Sequence, residues 1–218
     1  MLALCLDAST SQGTVSLLRD GDVIAASVAA MRGENSERLM PTVVEMLLGQ
    51  NATASDLGAV ACGAGPGGFT SLRIAAAIAK GFAAARSLPL FVAPSPLLIV
   101  SGAEPPFAPG TYVAILDAMR GDVFSLVVTV DASGVFRSAE YVLEPCAAAE
   151  ARAKSLGAVV VGPSAPGAHA PHARGFAPLF RQGLVARVDL DTWEPDYGRK
   201  AEAQVRWERD HGQALEMR

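Results

Sequence analysis

Cysteine is scarce in this chain of 218 residues: there are three, Cys5, Cys62 and Cys146, widely spaced and without a Cys-x-x-Cys pair. That excludes a disulfide framework and a cysteine-built zinc site, and it fits a reducing compartment. Charge is thin too, at 18% of residues with a formal net charge of −4. A molecule of that sign is not, as a whole, a basic nucleic-acid binder, so RNA contact needs a local patch or a basic partner. The uninterrupted apolar run of roughly 18 residues that a membrane span requires is missing. The opening Met1-Leu-Ala-Leu-Cys-Leu-Asp7 has no basic n-region and does not read as a signal peptide. The expectation is a cytoplasmic protein without a membrane span. Aromatics are few at 6%, yet half of the residues are hydrophobic. That is enough apolar surface to exclude disorder and to fold without staples.

What is present is a pattern that occurs twice. Leu2–Leu6 forms an apolar run ending at Asp7, and Gly13–Leu18 leads into Arg19-Asp20-Gly21-Asp22, a strong hairpin signal before Val23–Ala30. Leu39, Met40, Val43, Val44, Leu47 and Leu48 then recur at helical spacing, with Asn35 or Ser36 as N-cap and Pro41 expected to kink the opening turns. Gly58–Cys62 reads as a buried strand, followed by the loop Gly63-Ala-Gly-Pro-Gly-Gly68 and an alanine-rich helix from Thr70 to Arg86. The prolines from Pro89 to Pro109 read as a connection. Afterwards Leu116-Asp117-Ala118 ends a strand as Leu6-Asp7-Ala8 does. Val123–Val130 and Val135–Leu143 flank the turn Asp131-Ala-Ser-Gly134, a helix spans Pro145–Leu156, and Gly157-Ala-Val-Val-Val-Gly162 echoes Gly58-Ala-Val-Ala-Cys-Gly63. The expectation is α/β: two lobes, each a mixed sheet flanked by helices. Residues 1–100 form the first lobe, and residues 101–218 form the second with a polar tail. In that tail Ala201–His211 is expected to be a helix anchored by Trp193 and Trp207.

The loop carries Gly63-x-Gly65-x-x-Gly68 between a strand and a helix, the dinucleotide context. No Asp or Glu follows between Ser71 and Pro89 to hold a ribose, and Phe69 stands at the lysine position of a P-loop. The plainer reading is a tight turn that lets the helix pack against the sheet. Asp7, with Ser9 and Thr10 behind it, and Asp117 end equivalent strands. In two-lobed sugar-kinase or actin folds such acids hold a metal–nucleotide complex, which makes the four residues a vestigial nucleotide site. The plainer alternative is that the carboxylates cap nearby backbone N–H groups. His169, His172 and His211 all lie in the last quarter, and His169 and His172 sit in a Pro-containing loop without neighbouring acids or cysteines, so no metal is expected. No Gly-x-Ser-x-Gly elbow is present. The stripe of the first helix and the alanines of the second are wider than one core face needs, which suits either core packing or a second protein.

Leu4-Cys-Leu-Asp-Ala-Ser-Thr10, Asn35-Ser-Glu-Arg-Leu-Met-Pro41, Gly63-Ala-Gly-Pro-Gly-Gly-Phe-Thr-Ser-Leu-Arg73 and Leu116-Asp-Ala-Met-Arg-Gly-Asp-Val-Phe124 resemble the bacterial TsaB (YeaZ) family, as does the tail around Trp193–Arg199. The resemblance implies a duplicated actin/sugar-kinase-like (ASKHA) fold without catalytic residues, cofactor or metal. It implies a scaffold for the related catalytic subunit TsaD, acting with the ATPase TsaE to make threonylcarbamoyladenosine next to the tRNA anticodon. Contact with tRNA then comes only through the complex. Pairing, with TsaD or as a homodimer, is implied through the two first-lobe helices. That maps onto Ser36, Glu37, Leu39, Met40, Val43, Val44 and Leu47, and onto Phe69, Thr70, Leu72, Arg73, Ala76, Ala77 and Lys80. The catalytic relative holds its metal through histidines on the first helix, where this chain has none. Asn35 stands where the family commonly has His, and Met119 separates Ala118 from Arg120, an Arg that commonly follows Asp-Ala directly. The alternative class is a stand-alone ATP-dependent kinase or hydrolase using Asp7 and Asp117.

Overall fold

The computed structural model describes residues 1–31, 38–134, 136–199, 207 and 210–212. Strand β1 (Leu2–Asp7) is buried at every position, which is why it reads as a continuous apolar run. Its even residues, Leu2, Leu4 and Leu6, face one side of the sheet, and Ala3 and Cys5 face the other. Antiparallel β2 (Gln12–Arg19) and β3 (Asp22–Ala30) follow, joined through Asp20 and Gly21. Both turn residues have positive φ, 55° and 91°, as a two-residue hairpin requires.

Helix α1 (Leu39–Gly49) leads to β4 (Leu57–Gly63), α2 (Phe69–Arg86), β5 (Leu90–Ala93) and the short α3 (Ser95–Ser101). The second half opens with β6 (Gly110–Asp117) and β7 (Asp122–Val130). It continues through β8 (Phe136–Ser138), β9 (Val142–Pro145), α4 (Cys146–Leu156), β10 (Val159–Val161), α5 (Phe176–Arg181) and β11 (Ala186–Val188). The first sheet has the order β11-β5-β4-β1-β2-β3 and the second β10-β6-β7-β8, with β9 also on β7. In both sheets the leading strand has a parallel neighbour on one side and an antiparallel hairpin partner on the other.

The elements stack in layers. α1 and α2 cover one face of the first sheet, through Leu39, Val43, Leu47, Ala75, Ala79 and Ala83. Between the sheets lie α3, Ala173 and α5, in one core with inward side chains from both sheets. α4 covers the outer face of the second sheet with Ala149 and Ala153. Layers come close where side chains are smallest. A Cβ on Gly102 would meet the carbonyl oxygens of His172 and Leu98 at 2.6 Å. The segment His172–Gly175 is therefore pressed into the middle of the molecule. Its Ala173 N–H donates to Thr14 Oγ1 at 3.0 Å, and His172 Nδ1 accepts from the Arg174 N–H at 3.1 Å.

Several expectations change. α1 begins at Leu39, so Pro41 sits in the first turn, where no intrahelical donor is needed, and the helix runs on from there to Gly49. Asn35 and Ser36 lie outside the described residues. The stretch from Pro89 to Pro109 is more than a connection: it holds β5 and α3, with Pro94 at the N-cap and Pro96 in the first turn. The strand expected over Val135–Leu143 is divided into β8 and β9, both paired to β7. Of the expected tail helix, Trp207, Asp210 and His211 are described; the Trp207 ring stacks on His211 at 4.4 Å, while Trp193 packs against the first-sheet core. Among the described residues no helix is long and apolar enough to cross a membrane.

Burial lowers the pKa of His172 to about 4. The unfolded chain takes up that proton near pH 6.5, so stability falls as pH drops below that value and levels off near 4. The loss is on the order of 3 kcal/mol. Urea unfolding across this range should show it, and His172→Asn, which keeps a cap acceptor without a titrating ring, should lose correspondingly less. Identical pH profiles for the two proteins would contradict this.

Candidate functional site

The end of β1 and the start of α2 face each other, and the glycine loop between them is shaped by what it must accommodate. The Asp7 carboxylate is buried and accepts from the Ser9 N–H at 3.0 Å, the Ser9 hydroxyl at 2.8 Å and the Ser95 hydroxyl at 2.6 Å. Burial pushes its pKa up, against the three hydrogen bonds that favour the charged form. Ser95 Oγ in turn accepts from the Gly65 N–H at 3.2 Å. A Cβ on Gly63 would fall on the Asp7 carboxylate, one on Gly65 on the Asp196 carbonyl, and one on Gly67 on the backbone of Ser9. The chain itself fills the space beside these three glycines. Their absent side chains let Asp7, Asp196 and Ser9 come close, which is the close-packing reading of the loop.

Asp117, on the equivalent strand end, is exposed, and its Oδ1 accepts from the Met119 N–H at 2.8 Å. Both acids thus cap the backbone two residues on, the plainer of the two readings. Thr10 closes a local turn, donating to the Gln12 carbonyl at 3.0 Å and accepting from its N–H at 3.1 Å. Ser9, Thr10 and Asp117 do meet at one cavity of about 780 Å³ between the halves, walled also by Gly67, Gly68, Tyr197 and Arg199. Asp7 is not in its wall: it is enclosed behind Ser9. The thiols of Cys5 and Cys62 are buried and pushed well up, so neither ionises near neutrality. Among the described residues no group of three His, Cys, Asp or Glu side chains is placed to hold a metal ion.

The two helices divide the residues assigned to a partner. On α1 the doublets split: Leu39, Val43 and Leu47 are buried against the sheet, whereas Met40, Val44 and Leu48 are 39%, 43% and 67% exposed on the opposite side. On α2, Leu72 and Ala76 are buried, while Phe69, Thr70, Arg73 and Ala77 are exposed and Lys80 is half-buried. Leu39, Val43, Leu47, Leu72 and Ala76 are thus buried within the chain and their neighbours exposed, because side chains one position apart on a helix point in different directions. Ser36 and Glu37 lie outside the described residues.

Ser95, Tyr141 and Tyr197 are absent from the sequence-based assignment. Ser95 reaches Asp7 across 88 positions of chain, and its local signal is the pair Pro94 and Pro96 marking a helix start.

Residues 29–160, more than half of the chain, match the family model described as TsaD, tRNA N6-adenosine threonylcarbamoyltransferase. The Escherichia coli (strain K12) protein named tRNA threonylcarbamoyladenosine biosynthesis protein TsaB is 31% identical over 147 residues, 66% of this chain and 63% of its own. The Haemophilus influenzae protein of the same name is 32% identical over 126 residues, 57% of this chain and 53% of its own. The chain thus spans between about half and two thirds of these relatives' length. YeaZ from Pseudomonas aeruginosa, a solved structure, superposes with a TM-score of 0.71 at 21% identity, over 90% of this chain and 99% of that one. That likeness establishes a shared fold.

Asp7 and Gly63 occupy one space, so their substitutions should not add. Asp7→Ala leaves the hydroxyls of Ser9 and Ser95 unpaired and should cost about 2–4 kcal/mol. Gly63→Ala alone should cost about 1–3 kcal/mol by overpacking, and much less in the Asp7→Ala background. Denaturant melts of the four proteins measure this; additive losses would contradict it.

Proposed function

This chain belongs to the TsaB (YeaZ) family, within the wider TsaD family whose model it matches, and from that premise we propose that it is a non-catalytic subunit for threonylcarbamoyladenosine modification of tRNA. It binds the catalytic TsaD, acts with TsaE, and meets tRNA, at the adenosine next to the anticodon, only through that complex, in the cytoplasm. Without TsaD the same helices pair two copies of the chain. The two halves are one actin/sugar-kinase-like unit used twice. What supports this is the shared strand pairing of the two sheets, β4-β1-β2-β3 against β10-β6-β7-β8, and the capping acid at the end of both β1 and β6.

The observation that carries the docking reading is the ridge on α1. Met40, Val44 and Leu48 lie one turn apart on the side away from the sheet, unlike the buried positions beside them. Exposed large apolar side chains aligned along a helix suit burial by another protein. Covering three such half-exposed groups contributes on the order of 3 kcal/mol. On the same side of the sheet α2 presents small exposed residues, Ala77, Gly81 and Ala84, which let a partner helix approach closely. The non-catalytic part rests on Asp7. Its carboxylate is committed to Ser9 and Ser95, and withdrawing it to hold a metal–nucleotide complex would unlock α3 from the glycine loop. The net charge of −4 leaves the tRNA backbone to a partner.

Val44→Glu should leave the melting temperature nearly unchanged and weaken binding to the same organism's TsaD by about tenfold or more, read by calorimetry. Leu39→Ala should instead cost about 2–5 kcal/mol of stability. A Val44→Glu protein that binds TsaD as tightly as the wild type would remove α1 from the interface.

A further inference from the structure

The segment that follows β11 touches, in succession, both helices' side of the first sheet, the glycine loop and the second half. Trp193 packs against the first-sheet core, with Lys80 Nζ 6.0 Å from its ring centroid. Glu194 pairs with Lys80 at 3.1 Å. The Asp196 N–H donates to the Ala64 carbonyl at 2.7 Å, and its carboxylate accepts from the Tyr141 hydroxyl and from the Gly198 N–H at 2.7 Å. Tyr197 lies against Phe69 with ring centroids 4.5 Å apart, and its hydroxyl accepts from Arg73 Nε at 3.1 Å. Gly198, at φ 67°, is pressed against Phe124 and Pro66, and Arg199 pairs with Asp122.

We propose that Trp193–Arg199 is a strap that holds the exposed side chains of α2 ready for docking and ties them to the second half. The proposal rests on the docking reading above. Arg73 and Lys80 are long, flexible cations, and a free side chain of that kind must be ordered when a partner covers it. Here the ordering is already done. The Arg73 guanidinium lies 4.2 Å from the Phe69 ring centroid with its Nε on Tyr197, and Lys80 is held by Glu194. The other end of the strap grips Tyr141, Phe124 and Asp122 of the second half. Tyr197 and Arg199 also wall the cavity between the halves. A partner that covers Phe69 and Arg73 removes water from the Arg73–Tyr197 hydrogen bond and strengthens it. Docking on α2 therefore tightens a link that ends on the other half of the molecule. Tyr197 and Tyr141 are positioning residues in this arrangement: one orders α2 and the other fixes the strap from the far side.

Binding to TsaD and amide hydrogen exchange test it together. Tyr197→Phe keeps the ring but loses the hold on Arg73. Tyr141→Phe loses the grip on Asp196 at a residue on the second half. Both should weaken TsaD binding by roughly fivefold or more with little change in melting temperature, and in the wild-type chain the Asp196 and Gly198 amides should exchange more slowly once TsaD is bound. Wild-type affinity in both variants, or strap amides that exchange at an unchanged or faster rate in the complex, would overturn the proposal. Failure of the wild-type chain to bind TsaD at all would overturn the docking reading and the strap with it, and is distinguished by tight wild-type binding that the strap variants leave unchanged.

Discussion

A single carboxylate at the end of β1 organises the centre of this protein. Asp7 ends a strand that is buried throughout, and its charge has to be met by donors brought from elsewhere. Ser9 supplies two, and Ser95, at the start of α3, supplies a third. Each demand restricts the chain around it. Gly63 must lack a side chain to leave room for the carboxylate, and Gly67 must lack one to let the Ser9 backbone in. α3 must begin where Ser95 reaches both Asp7 and the Gly65 N–H. Since α3 lies in the core shared by the two sheets, the carboxylate also ties the end of β1 to the layer between them.

Around that centre the chain uses small residues where other proteins use shape. Gly102 takes the carbonyl of His172, and Ala173 is fully buried with its N–H on Thr14. The alanines of α2 lie flat against β4 and β1. Such a core depends on close backbone approach more than on large interlocking side chains, so an added methyl group at the glycine loop is costly. The same economy leaves α1 as the element with large apolar groups on both sides. It spends Leu39, Val43 and Leu47 on the core and still presents Met40, Val44 and Leu48 outward.

Much of this was legible in the chain because the signals are local. The Asp-Gly hairpin, the all-apolar β1, the loop after β4 and the repeated strand-end acid are short patterns with direct mechanical causes. The doublets of α1 announce a helix apolar on two sides, but periodicity alone does not say which member of each doublet faces the sheet, so it does not separate Leu39 from Met40. What stayed hidden is long-range. α3 is a seven-residue helix behind a run of prolines that also reads as a linker. Ser95 becomes a site residue through a contact with Asp7, and the strap acquires meaning through Tyr141 and Arg73, which sequence spacing does not connect. Asp7 is open to two readings in sequence, since a metal-holding acid and a capping acid look alike there; the structure adds the three donors that meet the buried carboxylate.

As proposed above, this chain works by holding another protein rather than by turning over a substrate. The decisive measurement is light scattering after size exclusion, on the full chain alone and mixed with the same organism's TsaD, with each sample also assayed for ATP turnover. The expected result is a one-to-one complex in the mixture and no turnover by the isolated chain. Separate elution of the two proteins, together with ATP turnover by the chain alone that Asp7→Asn abolishes without unfolding it, would contradict it.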